Sequence, residues 1–240
     1  MKAQTKTRRP RKKNSVDVAA LLEKGDEPLF SARASVRHQP FKRLFDVTFS
    51  LFALAITAPL WILCTLAVRL TSKGPAIFAS ERVGRGGRLI YCYKFRTMYC
   101  DAEERLRELL EACPKRASEY LTHRKITDDP RITPVGQFLR RYSIDEIPQF
   151  INVLFGELSI VGPRPYFARE LGSLSAKERD ILLCVRPGLT GPWQTGGRSE
   201  IPFKKRVAIE LEYVKRATFF SDLMYIFKTL PSVLLSRGAR

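Results

Sequence analysis

The pattern of hydrophobic and polar positions divides the chain into three parts. Residues 1–40 are polar and basic, contain no long apolar repeat and are predicted to form a disordered arm. Within residues 41–73, Val47–Val68 is a run of 22 residues without a charge. Such a run is long enough to cross a bilayer, because a membrane helix needs ~20 apolar residues. Residues 74–240 mix amphipathic segments with Gly/Pro turns and predict a globular domain.

Two paths are open for the apolar run, either across the membrane or into it and back. Pro59 lies in the middle of the run, where it removes a helical hydrogen bond and kinks a helix. Basic residues flank both ends, and a spanning helix would export the basic arm against the positive-inside bias. A re-entrant helix that breaks at Pro59 and returns to the same face satisfies these observations. From the residues alone, a spanning helix and a re-entrant helix are about equally expected.

The remaining pattern predicts an α+β fold with a small β-hairpin and a mostly helical globular domain. Alternating apolar residues flank a Gly-rich turn and indicate the hairpin, while apolar residues at i, i+3 and i+4 indicate amphipathic helices. Pro114 is expected to kink or split its helix, the last helix suits a membrane interface, and Phe150–Phe155 is open between helix and strand. The predicted segments are strands Ala76–Val83 and Leu89–Arg96 and helices Asp101–Leu121, Val135–Arg141, Lys204–Arg216 and Phe219–Leu235.

The charge balance indicates an anionic partner. The chain carries 42 basic and 24 acidic residues, a formal net charge of +18. Nucleic acid, anionic lipid and a phosphorylated substrate would each match this excess. The five cysteines are scattered without a CxxC pair, which indicates reduced thiols in a cytosolic setting.

The strongest chemical signal is a pair of adjacent carboxylates after two arginines. Asp145 and Glu146 follow Arg140 and Arg141, so an anionic nucleophile or metal ligand would lie close to guanidiniums that bind phosphate. The alternative is a capping box, since Ser143 and Glu146 have the spacing S-x-x-E. A carboxylate near a helix N-terminus is expected to have a depressed pKa and to stay ionised.

Further arginines and a lysine are candidates for binding phosphate. Arg164 lies between two prolines, which fix the backbone and lower the entropy lost when the side chain is presented. Lys94 and Arg96 alternate with apolar residues, a pattern that a half-buried strand with a solvated polar face would also give.

Taken together, these segments resemble the bacterial sugar transferase family, monotopic phosphoglycosyl transferases that act on polyprenyl phosphate. The C-terminal residues look most like the members that initiate exopolysaccharide synthesis by transferring galactose 1-phosphate. The resemblance runs from about Phe41 to the C-terminus, and Gln194 and Arg198 follow at the family's spacing. The motifs that carry it are Lys42–Asp46, Lys94–Met98, Asp129–Thr133, Ser143–Gln149, Gly162–Pro165 and Arg186–Gly191.

The resemblance implies a reaction and a place for it. Asp145 would attack the β-phosphorus of a UDP-sugar, UMP would leave, and undecaprenyl phosphate would take the sugar phosphate. Asp145, assisted by Glu146, would hold Mg²⁺. The globular domain would face the cytoplasm at the bacterial inner membrane, docked by a re-entrant helix on anionic lipids. The substrate-binding candidates would be Lys94, Arg96, Arg140, Arg164, Arg186 and Arg198.

A second class of function stays open beside this one. A membrane-surface adaptor without enzymatic activity would use the basic arm and the apolar helix to bind anionic lipids, and would need neither the carboxylate pair nor Arg164. Nucleic-acid binding rests on net charge alone and is not expected, because no recognised motif supports it. A homodimer is left open.

Overall fold

The computed structural model describes residues 39–123, 126–195 and 202–234. Most of the predicted basic arm and the candidate Arg198 lie outside these residues. The elements, in chain order, are α1 Gln39–Thr71, β1 Ile77–Val83, β2 Leu89–Phe95, α2 Ala102–Ala112, α3 Pro114–His123, α4 Pro134–Arg141, α5 Gln149–Phe155, β3 Ser159–Val161, α6 Ala168–Leu171, α7 Ala176–Leu183, β4 Gly188–Thr190, α8 Pro192–Thr195, α9 Phe203–Arg216 and α10 Phe219–Leu234.

The apolar run lies in α1, a helix of 33 residues with Pro59 inside it. The expected break at Pro59 does not interrupt the helix, which continues from Gln39 to Thr71. By length and composition, Phe41–Thr71 is the one candidate membrane helix within the part of the chain that the structure describes. Most of its large apolar side chains face outward, including Phe52, which is 66% exposed, and Ile62, which is 71% exposed.

Helix α1 contacts the globular domain near both of its ends. Near the start, Lys42 pairs with Asp222 of α10 and the Asp46 carboxylate accepts a hydrogen bond from the Ile160 backbone of β3. Near the end, Cys64 is buried in a cluster that includes Phe95 of β2. Asp46 and Cys64 are separated by about 27 Å along a straight helix, at 1.5 Å per residue. One domain therefore holds two distant parts of the same apolar helix.

The predicted hairpin is confirmed. Strands β1 and β2 pair antiparallel, with Phe78 opposite Lys94 and Val83 opposite Leu89. Helix α5 docks on β2 through Asn152, whose side chain accepts from the Tyr93 backbone N–H and donates to the Tyr91 carbonyl. The Asn152 side chain thus makes two hydrogen bonds to the backbone of β2, as a neighbouring strand would, and holds α5 beside the hairpin.

Each predicted helix is found, whereas helices α6, α7 and α8 and one short sheet were not predicted. Pro114 splits the expected helix into α2 and α3, and Phe150–Phe155 belongs to helix α5 rather than to a strand. Strands β3 and β4 form a short parallel pair in which Ser159 lies opposite Gly188. This pair brings the Gly162–Pro165 and Arg186–Gly191 segments together.

Helix α10 extends the apolar surface of α1. Phe219 at its start stacks edge-on against Phe45 of α1, with ring centroids 5.6 Å apart. Phe220, Met224 and Phe227 of α10 remain exposed on one side. The exposed apolar side chains of α1 and α10 therefore neighbour one another, which is the arrangement expected of a surface that meets lipid.

Candidate active site

The Asp145–Glu146 dyad lies on a tight turn between two helices. Helix α4 ends at Arg141, and Ser143 then adopts a left-handed conformation with φ 55°. A single 3₁₀ turn, Ile144–Glu146, follows and leads into α5. Ile144 on this turn packs against the cluster that contains Cys64 of α1. The turn thus places the dyad beside the end of the apolar helix.

The capping-box alternative is wrong for this turn. Ser143 makes no side-chain cap hydrogen bond, because its left-handed backbone belongs to a reversal and not to a helix start. Glu146 instead accepts a hydrogen bond from the Lys94 ammonium of β2 at 2.5 Å. Glu146 is therefore tied to Lys94 of the hairpin rather than to the Ser143 backbone.

Asp145 is a buried carboxylate between cations. It is 8% exposed, and the distance from its Oδ2 to Lys94 Nζ is 3.9 Å. Burial raises the pKa of Asp145 to about 6; Lys94 and Arg140 oppose the rise, and the Glu146 charge adds to it. The predicted depression of this pKa is wrong, because loss of solvent outweighs the nearby cations. At neutral pH the carboxylate is still mostly ionised.

The Arg140 side chain extends from α4 toward the dyad. Its Nε donates to the Thr97 hydroxyl at 2.8 Å, and no other hydrogen bond of its guanidinium is found among the described residues. Burial lowers the pKa of Arg140, and the nearby charges of Asp145 and Asp129 act in the opposite direction. The terminal N–H groups thus make no hydrogen bond within the described part of the chain, and a partly buried guanidinium of this kind beside a carboxylate is suited to binding phosphate oxygens.

Arg164 lies in the turn after β3 and is held by its backbone. Its N–H donates to Glu210 of α9 at 2.9 Å, and Tyr166 donates its hydroxyl to the same fully buried carboxylate. The guanidinium lies over the ring of Trp193 at 4.7 Å. The structure thus anchors Arg164 in a basic and aromatic cluster that also includes Arg82.

Arg96 and Arg186 bind the backbone rather than the dyad. The Arg96 guanidinium donates to the carbonyls of Ser72 and Lys73 at 2.7 and 3.0 Å and so ties the end of α1 to β2. The Arg186 Nε donates to the Gly156 carbonyl at 2.9 Å, at the far end of α5 from the dyad. Of the substrate-binding candidates that the structure describes, Lys94 and Arg140 lie next to the dyad.

The comparisons with known proteins identify the family. The model of the family described as "Bacterial sugar transferase" matches residues 37–236. The chain belongs to the bacterial sugar transferase family. This bacterial sugar transferase is also similar to several curated proteins over most of its length.

Three curated relatives illustrate the likeness. The exopolysaccharide production protein ExoY of Sinorhizobium fredii is 41% identical over 198 residues, 82% of this chain and 87% of the relative. The undecaprenyl-phosphate galactose phosphotransferase of Salmonella typhimurium is 43% identical over 82% of this chain, which spans 41% of the relative. The UDP-glucose:undecaprenyl-phosphate glucose-1-phosphate transferase of Caulobacter vibrioides is 36% identical over 82% of this chain and 71% of the relative. The protein is therefore a transferase.

The dyad of this sugar transferase offers only part of a ligand set for a metal ion. Within the described residues, no group of three or more His, Cys, Asp or Glu side chains is placed to hold a metal ion. Mg²⁺ commonly binds through one or two carboxylates together with substrate phosphates. Asp145, with Glu146 beside it, offers such a partial set. When bound, Mg²⁺ would neutralise negative charge on a phosphorylated ligand.

Two residues that were not candidates from the sequence hold candidate arginines in place, since Glu210 binds the Arg164 backbone and Thr97 binds the Arg140 side chain. Glu210 lies on the buried face of α9 together with Val207 and Val214. A carboxylate among apolar positions of a helix indicates that it has a hydrogen-bond partner in the interior of the protein. Thr97 belongs to the Lys94–Met98 motif, which gives it no role of its own. Its partner Arg140 is 43 positions away, so no local pattern indicates the contact.

Proposed function

We propose that the protein transfers a sugar 1-phosphate from a UDP-sugar to undecaprenyl phosphate, releases UMP and forms a covalent intermediate on Asp145. The observation that carries this proposal is the buried Asp145 carboxylate, with Lys94 and Arg140 beside it, on a turn packed against α1. The names of the relatives supply the substrate classes: undecaprenyl phosphate, galactose or glucose phosphate, and a UDP-sugar. An adaptor would need no such carboxylate.

The first half-reaction uses Asp145 as the nucleophile. A carboxylate oxygen of Asp145 attacks the β-phosphorus of the UDP-sugar, and the bond from that phosphorus to the bridging oxygen breaks. UMP leaves with the bridging oxygen, and the sugar phosphate stays esterified to Asp145. Arg140, through its terminal N–H groups, and Lys94 would bind the phosphoryl oxygens as negative charge develops there.

The second half-reaction restores the carboxylate. An oxygen of undecaprenyl phosphate attacks the same phosphorus, the bond to Asp145 breaks, and undecaprenyl diphosphate sugar is formed. The acceptor is a lipid, so its phosphate must approach from the membrane. The packing of the dyad turn against the end of α1 supports such an approach, because it keeps the nucleophile close to the apolar helix.

A re-entrant path of α1 follows from its two regions of contact. Lys42 and Asp46 contact α10 and β3, whereas Cys64 and Val68 pack with Phe95 of the same domain. A helix that crossed a ~30 Å hydrocarbon core would separate these two regions by the thickness of the membrane. We infer that both ends of α1 lie on the cytoplasmic side and that α1 dips into one leaflet.

Release of UMP by wild type and by Asp145→Asn tests the proposed reaction. Wild type incubated with undecaprenyl phosphate, Mg²⁺ and a panel of UDP-sugars should release UMP, with UDP-galactose or UDP-glucose expected among the donors. Asp145→Asn should lose at least ~4 kcal/mol of transition-state stabilisation, because an amide carries no negative charge and its oxygen does not attack phosphorus as a carboxylate does. Its Tm should not fall, since a buried charge is removed.

Two results would contradict the proposal. Turnover by a folded Asp145→Asn variant at close to the wild-type rate would exclude Asp145 as the nucleophile. Binding of the protein to anionic vesicles without UMP release from any UDP-sugar would favour the adaptor instead.

A further inference from the structure

Two short segments that are far apart in the chain pair with each other beside the dyad. The N–H of Thr133 donates to the carbonyl of Thr97 at 3.0 Å, and the N–H of Tyr99 donates to the carbonyl of Arg131 at 2.9 Å. Residues 97–99, which follow β2, thus lie against residues 131–133, which precede α4. This pairing fixes the start of α4 relative to the hairpin that carries Lys94.

Helix α4 approaches the Thr97 backbone more closely than a side chain would allow. A Cβ atom at Gly136 would lie 2.1 Å from the Thr97 carbonyl oxygen, a distance at which something must shift. The absence of a side chain at Gly136 therefore lets the first turn of α4 rest on Thr97. Arg140 is four positions after Gly136 on the same helix face, which directs its guanidinium toward Thr97 as well.

The Thr97 hydroxyl receives this guanidinium. Thr97 is 7% exposed, and its Oγ1 accepts from Arg140 Nε at 2.8 Å. A bond at Nε fixes the plane of a guanidinium and leaves both terminal nitrogens available. Thr97 thereby sets the direction in which Arg140 presents its remaining donors.

The ion pair between Asp129 and Arg131 lies close enough to Arg140 to act on its charge. The Asp129 carboxylate accepts from Arg131 Nε at 2.8 and 3.0 Å and from Arg131 Nη2 at 2.6 Å. Asp129 is 7% exposed, and its charge acts on Arg140 together with that of Asp145. Because Arg131 already occupies Asp129, the Asp129 carboxylate does not draw the terminal nitrogens of Arg140 away from the dyad.

We propose that Thr97 is a positioning residue for the transfer reaction, and that it acts by orienting Arg140 toward the phosphoryl group bound at Asp145. The inference rests on the proposed function, because it takes Arg140 to bind substrate phosphate. The inference also gives a role to two sequence motifs, Lys94–Met98 and Asp129–Thr133. The backbone hydrogen bond between Thr133 and Thr97 fixes α4, and with it Arg140, relative to Thr97. Thr97 itself touches no reacting atom.

A pair of substitutions at position 97 separates the hydroxyl from the shape of the side chain. Thr97→Val keeps the volume and removes the acceptor, whereas Thr97→Ser keeps the acceptor. A hydrogen bond to a charged group supports a loss of kcat/KM by Thr97→Val on the order of 10- to 100-fold, measured per folded enzyme. The loss should fall mainly on kcat, and Thr97→Ser should stay close to wild type.

The same substitution in an Arg140→Ala background shows whether the hydroxyl acts through Arg140. Arg140→Ala alone should lower kcat/KM at least as much as Thr97→Val, and adding Thr97→Val to it should lower it no further. Should Thr97→Val not fold, Thr97→Ala removes the hydroxyl without placing a methyl group in its position.

Each remaining outcome overturns a defined part of the account. Full activity in folded Thr97→Val, with Arg140→Ala impaired, overturns the role of Thr97 and leaves the proposed function standing. Losses that add fully in the double variant show that Thr97 acts independently of Arg140 and also overturn it. Full activity in Arg140→Ala overturns this inference and the phosphate role of Arg140 together, while adduct formation at Asp145 remains a separate test.

Discussion

At the scale of single residues, the site depends on a carboxylate whose burial and neighbours act in opposite directions. Burial disfavours the charge on Asp145, and Lys94 and Arg140 favour it. With a pKa raised to about 6, the carboxylate is more basic than an ordinary aspartate yet remains mostly ionised at neutral pH. Such a group is a stronger nucleophile than a fully solvated aspartate would be.

The pH dependence of turnover should show the raised pKa of Asp145 and the effect of Lys94 on it. An ionised nucleophile is required, so kcat/KM should rise with pH through about 6 and fall about tenfold per pH unit below that. The Lys94 charge lowers the pKa of Asp145, so Lys94→Met should move the acid limb to higher pH, whereas Lys94→Arg should hold it near the wild-type position. Initial rates of UMP release over a pH series that brackets this limb provide the measurement.

An acid limb that shifts to lower pH in Lys94→Met would contradict this account of the carboxylate. An equal shift in Lys94→Met and Lys94→Arg would show that geometry at position 94, rather than its charge, is responsible.

At the scale of secondary-structure elements, one sequence pattern gives two different outcomes. The spacing S-x-x-E occurs at Ser143–Glu146 and again at Ser175–Glu178. At the second site it forms a capping box, with the Ser175 hydroxyl accepting from the Glu178 N–H at 3.3 Å. At the first site no capping box forms, because Ser143 has a left-handed backbone and Glu146 accepts a hydrogen bond from Lys94 instead. Tertiary contacts that the local sequence does not contain decide between the two.

The path of α1 yields a prediction that can be tested in intact cells. In a chain with exposed Cys100 replaced by Ser, single cysteines would be placed by Ala3→Cys and Lys73→Cys. Position 73 is preferred to 74, because a Cβ at Gly74 would lie 2.3 Å from Arg96 Nη1. Both thiols should resist an impermeant reagent added outside the cell and react after permeabilisation. Pro59→Leu should increase outside labelling at position 3, since it removes a helix penalty of ~3 kcal/mol.

Labelling at position 3 from outside, with position 73 protected, would show that α1 spans the membrane in the wild type. Equal labelling in wild type and in Pro59→Leu would show that Pro59 does not determine the path.

At the scale of the whole molecule, the sequence was informative where structure is local and uninformative where it depends on distant partners. The hairpin, the split at Pro114 and helices α9 and α10 follow from periodicity and proline positions. The parallel pair of β3 and β4 does not, because each strand has three residues and their partners lie almost thirty positions apart. The local pattern places Lys94 on a strand. It does not predict the contact with Glu146, because the two residues are 52 positions apart in the chain.

The basic arm is expected to serve membrane docking rather than chemistry. The dyad and its described partners Lys94, Thr97 and Arg140 all lie beyond residue 40. Each Lys or Arg near an anionic surface contributes ~1 kcal/mol, an effect that fades with salt. Deleting residues 2–38 should weaken sedimentation with anionic vesicles at low ionic strength and leave turnover in detergent intact. Loss of detergent activity in a folded deletion variant would contradict this division.

The central claim, that Asp145 carries the sugar phosphate between the two substrates, is tested most directly by mass spectrometry of the enzyme without acceptor. Wild type mixed with a UDP-sugar and Mg²⁺ should gain the mass of a sugar phosphate on the peptide that contains Asp145, and addition of undecaprenyl phosphate should remove it. Asp145→Asn should show no adduct. If UMP were released only when the acceptor is present, with no adduct and with kinetics of a ternary complex, the covalent route through Asp145 would be wrong.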